Sequence, residues 1–139
     1  MTVRRLPAPS HWVRLARARV EVTNRITKRD DMRKFSLEAL AREHLERARA
    51  SSARRSATTV YGGHEQVLRH TLVALAVRTS LTEHDNPGEA TLYVLHGRVQ
   101  LHANDATWEG RTGDLIVIPP ARHSLDALED SVVLLTVAK

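Results

Sequence analysis

The chain has 139 residues and a formal net charge of +5, and this length suits one domain with a core of its own. It contains no cysteine, which excludes disulfides, thiolate zinc sites and cysteine nucleophiles. It also has no run of about 18 apolar residues, so the sequence predicts no membrane-spanning helix.

The positive charge is confined to the first part of the chain. Residues 1–31 carry eight Arg and Lys against three acids, and residues 32–56 carry seven against three. Residues 57–139 carry six Arg and Lys against ten acids. The later part is therefore acidic, and we do not expect it to form a nucleic-acid groove.

Residues 1–31 show no sustained hydrophobic period and lack the apolar block of a signal peptide. They predict a weakly ordered basic extension on a cytoplasmic protein. An alternative is an arm that packs on a partner subunit or touches an anionic surface. Met32 directly precedes the first regular segment, and we treat it as a candidate alternative start of translation.

Residues 36–50 carry the one clear helical pattern. Ser36 is a good N-cap, and Glu38 lies in the first turn, where a carboxylate favours the helix dipole. One face carries residues at spacings of three and four: Leu37, Leu40, Ala41, His44, Leu45 and Ala48. A helix this short does not hold alone in water, so we expect this amphipathic stripe to pack on the sheet or on another subunit. For His44 we expect a packing role.

From residue 57 onward every periodic segment is typical of a strand. The predicted strands are 57–61, 67–77, 91–95, 98–102, 106–109, 115–118, 124–128 and 131–137. Residues 79–88 are predicted as a loop, because Asn86-Pro87-Gly88 is a strong turn signal. Short strands at regular spacing without a helix between them predict an all-β barrel or sandwich. The uniformly apolar residues 131–137 favour a strand that is not an exposed edge.

Two glycine-anchored segments carry a family likeness. Gly97 follows the apolar strand Leu92–Leu95, and Gly113 is followed, after five residues, by Pro119. This pair of segments resembles the two motifs of the cupin superfamily, and the likeness covers residues 57–139. The resemblance implies a small β-barrel of the jelly-roll (double-stranded β-helix) type, usually dimeric, preceded here by the amphipathic α-helix.

In cupins that bind a metal, two histidines and a glutamate of the first motif and one histidine of the second hold the ion. Matched position by position, these roles fall on His84, Asn86, Ala90 and His123. Ala90 has no donor atom, and its neighbour Glu89 points to the other face of a regular strand. A first-row metal needs three or more protein ligands. The candidate set is His84, Glu89 and His123, for iron, manganese, nickel, copper or zinc. It requires the Pro87-Gly88 turn to bulge the chain and redirect Glu89; otherwise Asn86, His70 or His96 must supply the third ligand.

The sequence leaves three functions open, and we predict the first. It is a small-molecule-binding or regulatory barrel without a complete metal site, with candidate pocket residues His84, Asn86, Arg122, His123 and His70. The second is a mononuclear metal-dependent enzyme, an oxygenase or isomerase acting on a small organic acid or sugar. The third is anion or nucleic-acid association through the arginine-rich arm, which would depend steeply on salt.

A homodimer is also predicted, with no membrane contact. The resemblance implies the dimer, and the composition gives it a physical reason. Residues 92–95 and 132–137 are apolar on both faces of their strands, which is more apolar surface than one barrel interior buries.

Overall fold

The computed structural model describes residues 32–84 and 88–139. Within them, residues 36–63 and 67–139 form one compact unit, and residues 32–35 and 64–66 contain neither helix nor strand. The predictions about the basic arm, the alternative start and nucleic-acid association concern residues 1–31, which lie outside the described residues.

Helix α1 spans Leu37–Ala50, where the periodicity placed it. The Ser36 hydroxyl caps it by accepting the Ala39 backbone N–H at 3.1 Å, which satisfies one of the free donors of the first turn. His44 is buried on the sheet side, and its Nδ1 shares a hydrogen bond of 2.7 Å with the Ser56 hydroxyl. In the described part of the chain, no helix is long and apolar enough to span a membrane.

Nine strands follow α1 in the described residues: β1 (Arg55–Tyr61), β2 (Leu68–Leu75), β3 (Ser80–His84), β4 (Glu89–His96), β5 (Arg98–Ala103), β6 (Ala106–Arg111), β7 (Leu115–Ile118), β8 (His123–Ala127) and β9 (Ser131–Ala138). They form a five-stranded sheet in the order β1-β2-β9-β4-β7 and a four-stranded sheet in the order β3-β8-β5-β6. All the strand pairs are antiparallel. The prediction of an all-β fold preceded by one helix is confirmed.

The main core lies between the two sheets. It contains inward-facing residues of both, including the fully buried Leu75, Val94 and Val99. A second apolar cluster lies on the outer face of the five-stranded sheet, the face turned away from the other sheet. There Leu45 of α1 packs with residues such as Leu72.

Strand β9 lies in the middle of the five-stranded sheet, between β2 and β4. Val133 belongs to the core between the sheets, and Val132 belongs to the cluster under α1. The prediction that residues 131–137 are not an exposed edge is therefore correct. Since α1 covers the outer side of β9, its two-sided apolar pattern is satisfied within one chain and does not itself require a second subunit.

The predicted loop over residues 79–88 is wrong in its first half, because Ser80–His84 form β3. This strand has a single large apolar residue, Leu81, which packs on the core. Its conformation is stabilised by pairing with β8, where Ser80 lies opposite Asp126. Such a partner more than 40 positions away leaves no periodic signal in the strand's own sequence.

The turns at the two motif glycines are linked to each other. The Gly97 N–H donates to the Thr112 hydroxyl at 3.0 Å, and the Thr112 N–H donates to the Gly97 carbonyl at 3.1 Å. Gly97 has a φ of +94°, and a Cβ there would lie 2.4 Å from the Asp130 carbonyl oxygen. Only glycine accommodates both the left-handed backbone and this close approach.

Candidate functional site

Two of the predicted site histidines meet where β3 pairs with β8. The Cα atoms of His84 and His123 are register partners, and Ala103 of β5 is the partner of His123 on its other side. The backbone therefore brings the two histidine positions together at one end of the four-stranded sheet. This is the juxtaposition on which the predicted binding site depends.

His123 begins β8 and is only 3% exposed. Its Nδ1 lies 3.0 Å from the backbone carbonyl oxygen of Ala121. Because a carbonyl can only accept, Nδ1 carries a proton and donates in this bond. In the neutral ring Nε2 is then the basic nitrogen, and the Ala121 contact fixes the orientation of the imidazole.

The remaining pocket residues are distributed unevenly. Arg122 is exposed and directly precedes His123 at the start of β8. Asn86 lies outside the described residues. His70 lies on β2, where its Nδ1 shares a 3.0 Å hydrogen bond with Thr136. By strand alternation it is on the same outer face as Leu72, so the structure does not bring it to His123.

The glutamate position of the first motif is filled by Ala90. Ala90 is buried in the core between the sheets, and its Cα partners are Ile118 and Val137. Glu89 is exposed and points the other way, since the register of β4 runs without a bulge from Glu89 to Val94. In the candidate metal set, Glu89 thus lies on the outer face of the five-stranded sheet, whereas His123 lies on the inner face of the four-stranded sheet.

The donors in the described residues do not fit the metal that the resemblance implies. Among those residues, no group of three or more His, Asp or Glu side chains is placed to hold an ion. A first-row metal needs at least three such ligands. We therefore derive no chemical step through a metal.

A polar network that the sequence did not reveal crosses the outer face of the four-stranded sheet. Asp126 accepts hydrogen bonds from the Ser80 hydroxyl at 2.5 Å and from His102 Nε2 at 2.8 Å. The Thr107 hydroxyl lies 3.2 Å from the other ring nitrogen of His102. The hydrogen bond from Ser80, with a smaller contribution from His102, lowers the pKa of Asp126. The network links all four strands on a half-exposed surface, which is typical of a structural role.

The comparisons with known proteins agree with this architecture. Residues 71–138 match the protein family described as Cupin domain. A conserved protein of unknown function from Streptococcus pyogenes is 27% identical in sequence, with a TM-score of 0.58. That match covers 64% of this chain and 77% of the streptococcal chain. The search of curated proteins gave no match.

Two further solved structures share the fold at lower identity. An RmlC-like cupin from Desulfovibrio desulfuricans is 23% identical, with a TM-score of 0.54 over 60% of this chain and 81% of that one. A Cupin 2 conserved barrel domain protein from Leptotrichia buccalis is 21% identical, with a TM-score of 0.58 over 64% of this chain and 43% of that one. Together with the family match, these structures confirm the jelly-roll architecture.

Proposed function

Since residues 71–138 of this chain form a cupin domain, we propose that the protein binds a small molecule where β3 meets β8, without a complete metal site. The observation that supports this is the pairing of His84 with His123, combined with Ala90 at the position where metal-binding cupins place glutamate. The two histidines are register partners on neighbouring strands, and Ala90 has no donor atom that could serve as a third ligand.

The surroundings of His123 favour one chemical class of ligand. Ala90 and Ala103 are small and buried, and they lie on the inner faces of the two sheets. An imidazole whose Nδ1 is bonded to Ala121 is held in one orientation, which suits the recognition of a polar group. Arg122, which is exposed and directly precedes His123 in the chain, carries a positive charge. A small organic acid with a compact apolar part, or a sugar acid, fits this combination of charge and small side chains.

The test is a thermal-shift screen of the full chain against small carboxylic acids, sugar acids and neutral sugars. A ligand present at 100 times its dissociation constant stabilises the folded state by about 2.7 kcal/mol. We expect at least one acid to raise the melting temperature, and we expect His123→Gln to abolish that shift. The matched control is His102→Gln, on the outer face of the same sheet, which should retain it. If no compound stabilises the chain, or if both variants lose the shift equally, the proposal is wrong.

Metal content separates this proposal from the metal-dependent enzyme. The chain purified without added metal should contain far less than one iron, manganese, nickel, copper or zinc ion per molecule. Adding these ions should leave the melting temperature unchanged. A stoichiometric ion that His123→Gln removes would instead support the enzyme, an oxygenase or isomerase.

The assembly and location that we propose follow from the sequence. We propose a homodimer, as the family resemblance implies, and a cytoplasmic location. Sedimentation velocity on the full chain tests the first, and fractionation of the source cells tests the second.

A further inference from the structure

The edge strands of the two sheets differ in how they are protected. In the described residues the edges are β1, β3, β6 and β7. Charged residues with described side chains stand in two of the first three: Arg55 in β1, and Glu109 and Arg111 in β6. Charges on an edge oppose pairing with another chain. Strand β7, with the sequence Leu-Ile-Val-Ile, has none and is the unprotected edge.

The backbone of β7 has hydrogen-bonding groups directed away from its sheet. The Val94 N–H donates to the Asp114 carbonyl at 2.9 Å and the Val94 carbonyl accepts the Gly113 N–H at 2.8 Å, so the backbone of Val94 is bonded to the turn that leads into β7. Because hydrogen-bonded pairs alternate along an antiparallel ladder, Ile116 is the next residue bonded to β4. The N–H and C=O groups of Leu115 and Val117 therefore point to the free edge.

The side chains around this edge form an exposed apolar surface. Leu115 is 61% exposed and Val117 is 73% exposed, and both lie on the outer face beside Tyr93, which is 37% exposed. Trp108 of β6 is 65% exposed. It pairs with the inward-facing Leu101 and therefore lies on the inner face of the other sheet, so it is not part of this outer surface.

The size of this surface points to a macromolecular partner. Leu115, Val117 and Tyr93 leave roughly 300 Å² of mostly apolar area exposed, which is at the lower end of the range for the largest patch on a typical monomer. That is somewhat under half of the area, roughly 800 Å² per partner, that a stable dimer buries, and pairing of the strand backbones would add to it. Helix α1 covers the outer face near Leu95 and Leu134 and leaves the β7 end uncovered.

We propose that β7 pairs antiparallel with β7 of a second copy, across a two-fold axis that passes beside Ile116. In this register Leu115 lies opposite Val117 of the second copy, and each exchanges its outward backbone hydrogen bonds with the other. If the two strands shift by two residues so that Leu115 faces Pro119 of the second copy, one hydrogen bond is lost, because Pro119 has no N–H to donate. The two five-stranded sheets then form one continuous sheet through the dimer.

A second copy fits this surface in charge as well as in shape. A strand without charge meets its own copy without repulsion. The nearest carboxylate, Asp114, lies opposite Ile118 of the second copy, so the two Asp114 side chains stand at opposite ends of the interface. A two-fold contact of this kind is closed and produces a dimer, not a filament. This inference rests on the proposed homodimer and specifies its surface.

The first test compares two lysine substitutions in the full chain by sedimentation velocity across a concentration series. Val117→Lys places a charge on the β7 edge, and we expect the dimer dissociation constant to rise about 30-fold or more. Val67→Lys is the matched control, because Val67 is also an exposed valine but lies away from β7. It should leave the dimer unchanged.

A second test does not depend on how well Val117→Lys folds. The natural chain is free of cysteine, so Val117→Cys and Val67→Cys each introduce a single thiol. A short bis-maleimide should link two copies through position 117 and fail to do so through position 67.

The outcomes separate this surface from the wider proposals. A dimer that persists in Val117→Lys, or that does not cross-link through position 117, overturns the β7 surface and leaves the homodimer standing. A wild-type chain that is monomeric at every concentration overturns both the homodimer and its β7 surface. The partner of β7 would then be residues 1–31 or a different protein. Neither result affects the small-molecule site at His123.

Discussion

The two sheets of the sandwich differ in what covers their outer faces. Helix α1 covers the five-stranded sheet around Leu72 and Val132. The four-stranded sheet has no such cover among the described residues, and its outer face carries the Asp126 network. A sheet buried on both faces needs continuous apolar strands, whereas a sheet buried on one face alternates apolar with polar residues. The composition of each strand therefore reports what covers its sheet.

The largest effect on stability is expected from substitutions of buried leucines. These substitutions test whether the cluster under α1 stabilises the fold as much as the core between the sheets does. Leu72→Ala in the first and Leu101→Ala in the second should each lower the free energy of unfolding by 2–5 kcal/mol, an order-of-magnitude estimate for a buried leucine. The control Leu68→Ala, at a more exposed position of β2, should cost about 1 kcal/mol or less. Urea denaturation of the three variants measures this. If Leu72→Ala lowers the free energy of unfolding no more than Leu68→Ala does, the packing of α1 on the sheet contributes little to stability.

An intermediate effect tests the outer face of the four-stranded sheet. Asp126→Asn should cost about 1 kcal/mol at neutral pH, because charged hydrogen bonds to Ser80 and His102 weaken on a half-exposed surface. The lowered pKa of Asp126 means that its carboxylate stabilises the fold above the unfolded pKa near 3.8. This stability is lost as the pH falls through the lower, folded value.

Denaturation at neutral pH and at acid pH, with Asp105→Asn as the exposed turn control, tests the sign of this effect. The difference in free energy of unfolding between wild type and Asp126→Asn should become smaller below pH 3.8. If this difference does not change with pH, or if Asp105→Asn loses as much stability as Asp126→Asn, the Asp126 carboxylate does not stabilise the sheet.

The smallest effect concerns the solvent side of α1. Arg47 pairs with Glu43 at 2.7 Å across one turn, and both side chains are about half exposed or more. Glu43→Gln should therefore lower the free energy of unfolding by only about 0.2–0.5 kcal/mol. High salt should remove the difference. A loss above about 1 kcal/mol would mean that surface charge, and not the apolar stripe, holds the helix in place.

The features predicted correctly from the sequence are those with a local physical cause. The helix follows from the Ser36 cap and the apolar stripe, and the central position of β9 follows from its two-sided composition. The glycines of the motif segments can be recognised because a left-handed turn that meets another backbone at close range demands glycine, as at Gly97.

Features that depend on distant partners could not be predicted in the same way. Strand β3 was missed because its pairing with β8 decides its conformation. The Asp126 network was missed because Ser80, His102 and Asp126 become neighbours only through strand order. The position of His70 under the α1 side of the sheet likewise depends on the pairing of β2 with β9. In each case the deciding contact joins residues far apart in the chain.

The place of β9 also governs how the protein forms during synthesis. Strands β2 and β4 both pair with β9 and not with each other. A nascent chain that has reached only β8 therefore lacks the strand that joins them, and it exposes their apolar residues. Ser131–Ala138 must therefore emerge from the ribosome before the larger sheet can close. Until then the half-built domain exposes apolar surface and unpaired strand edges, which makes it prone to aggregation.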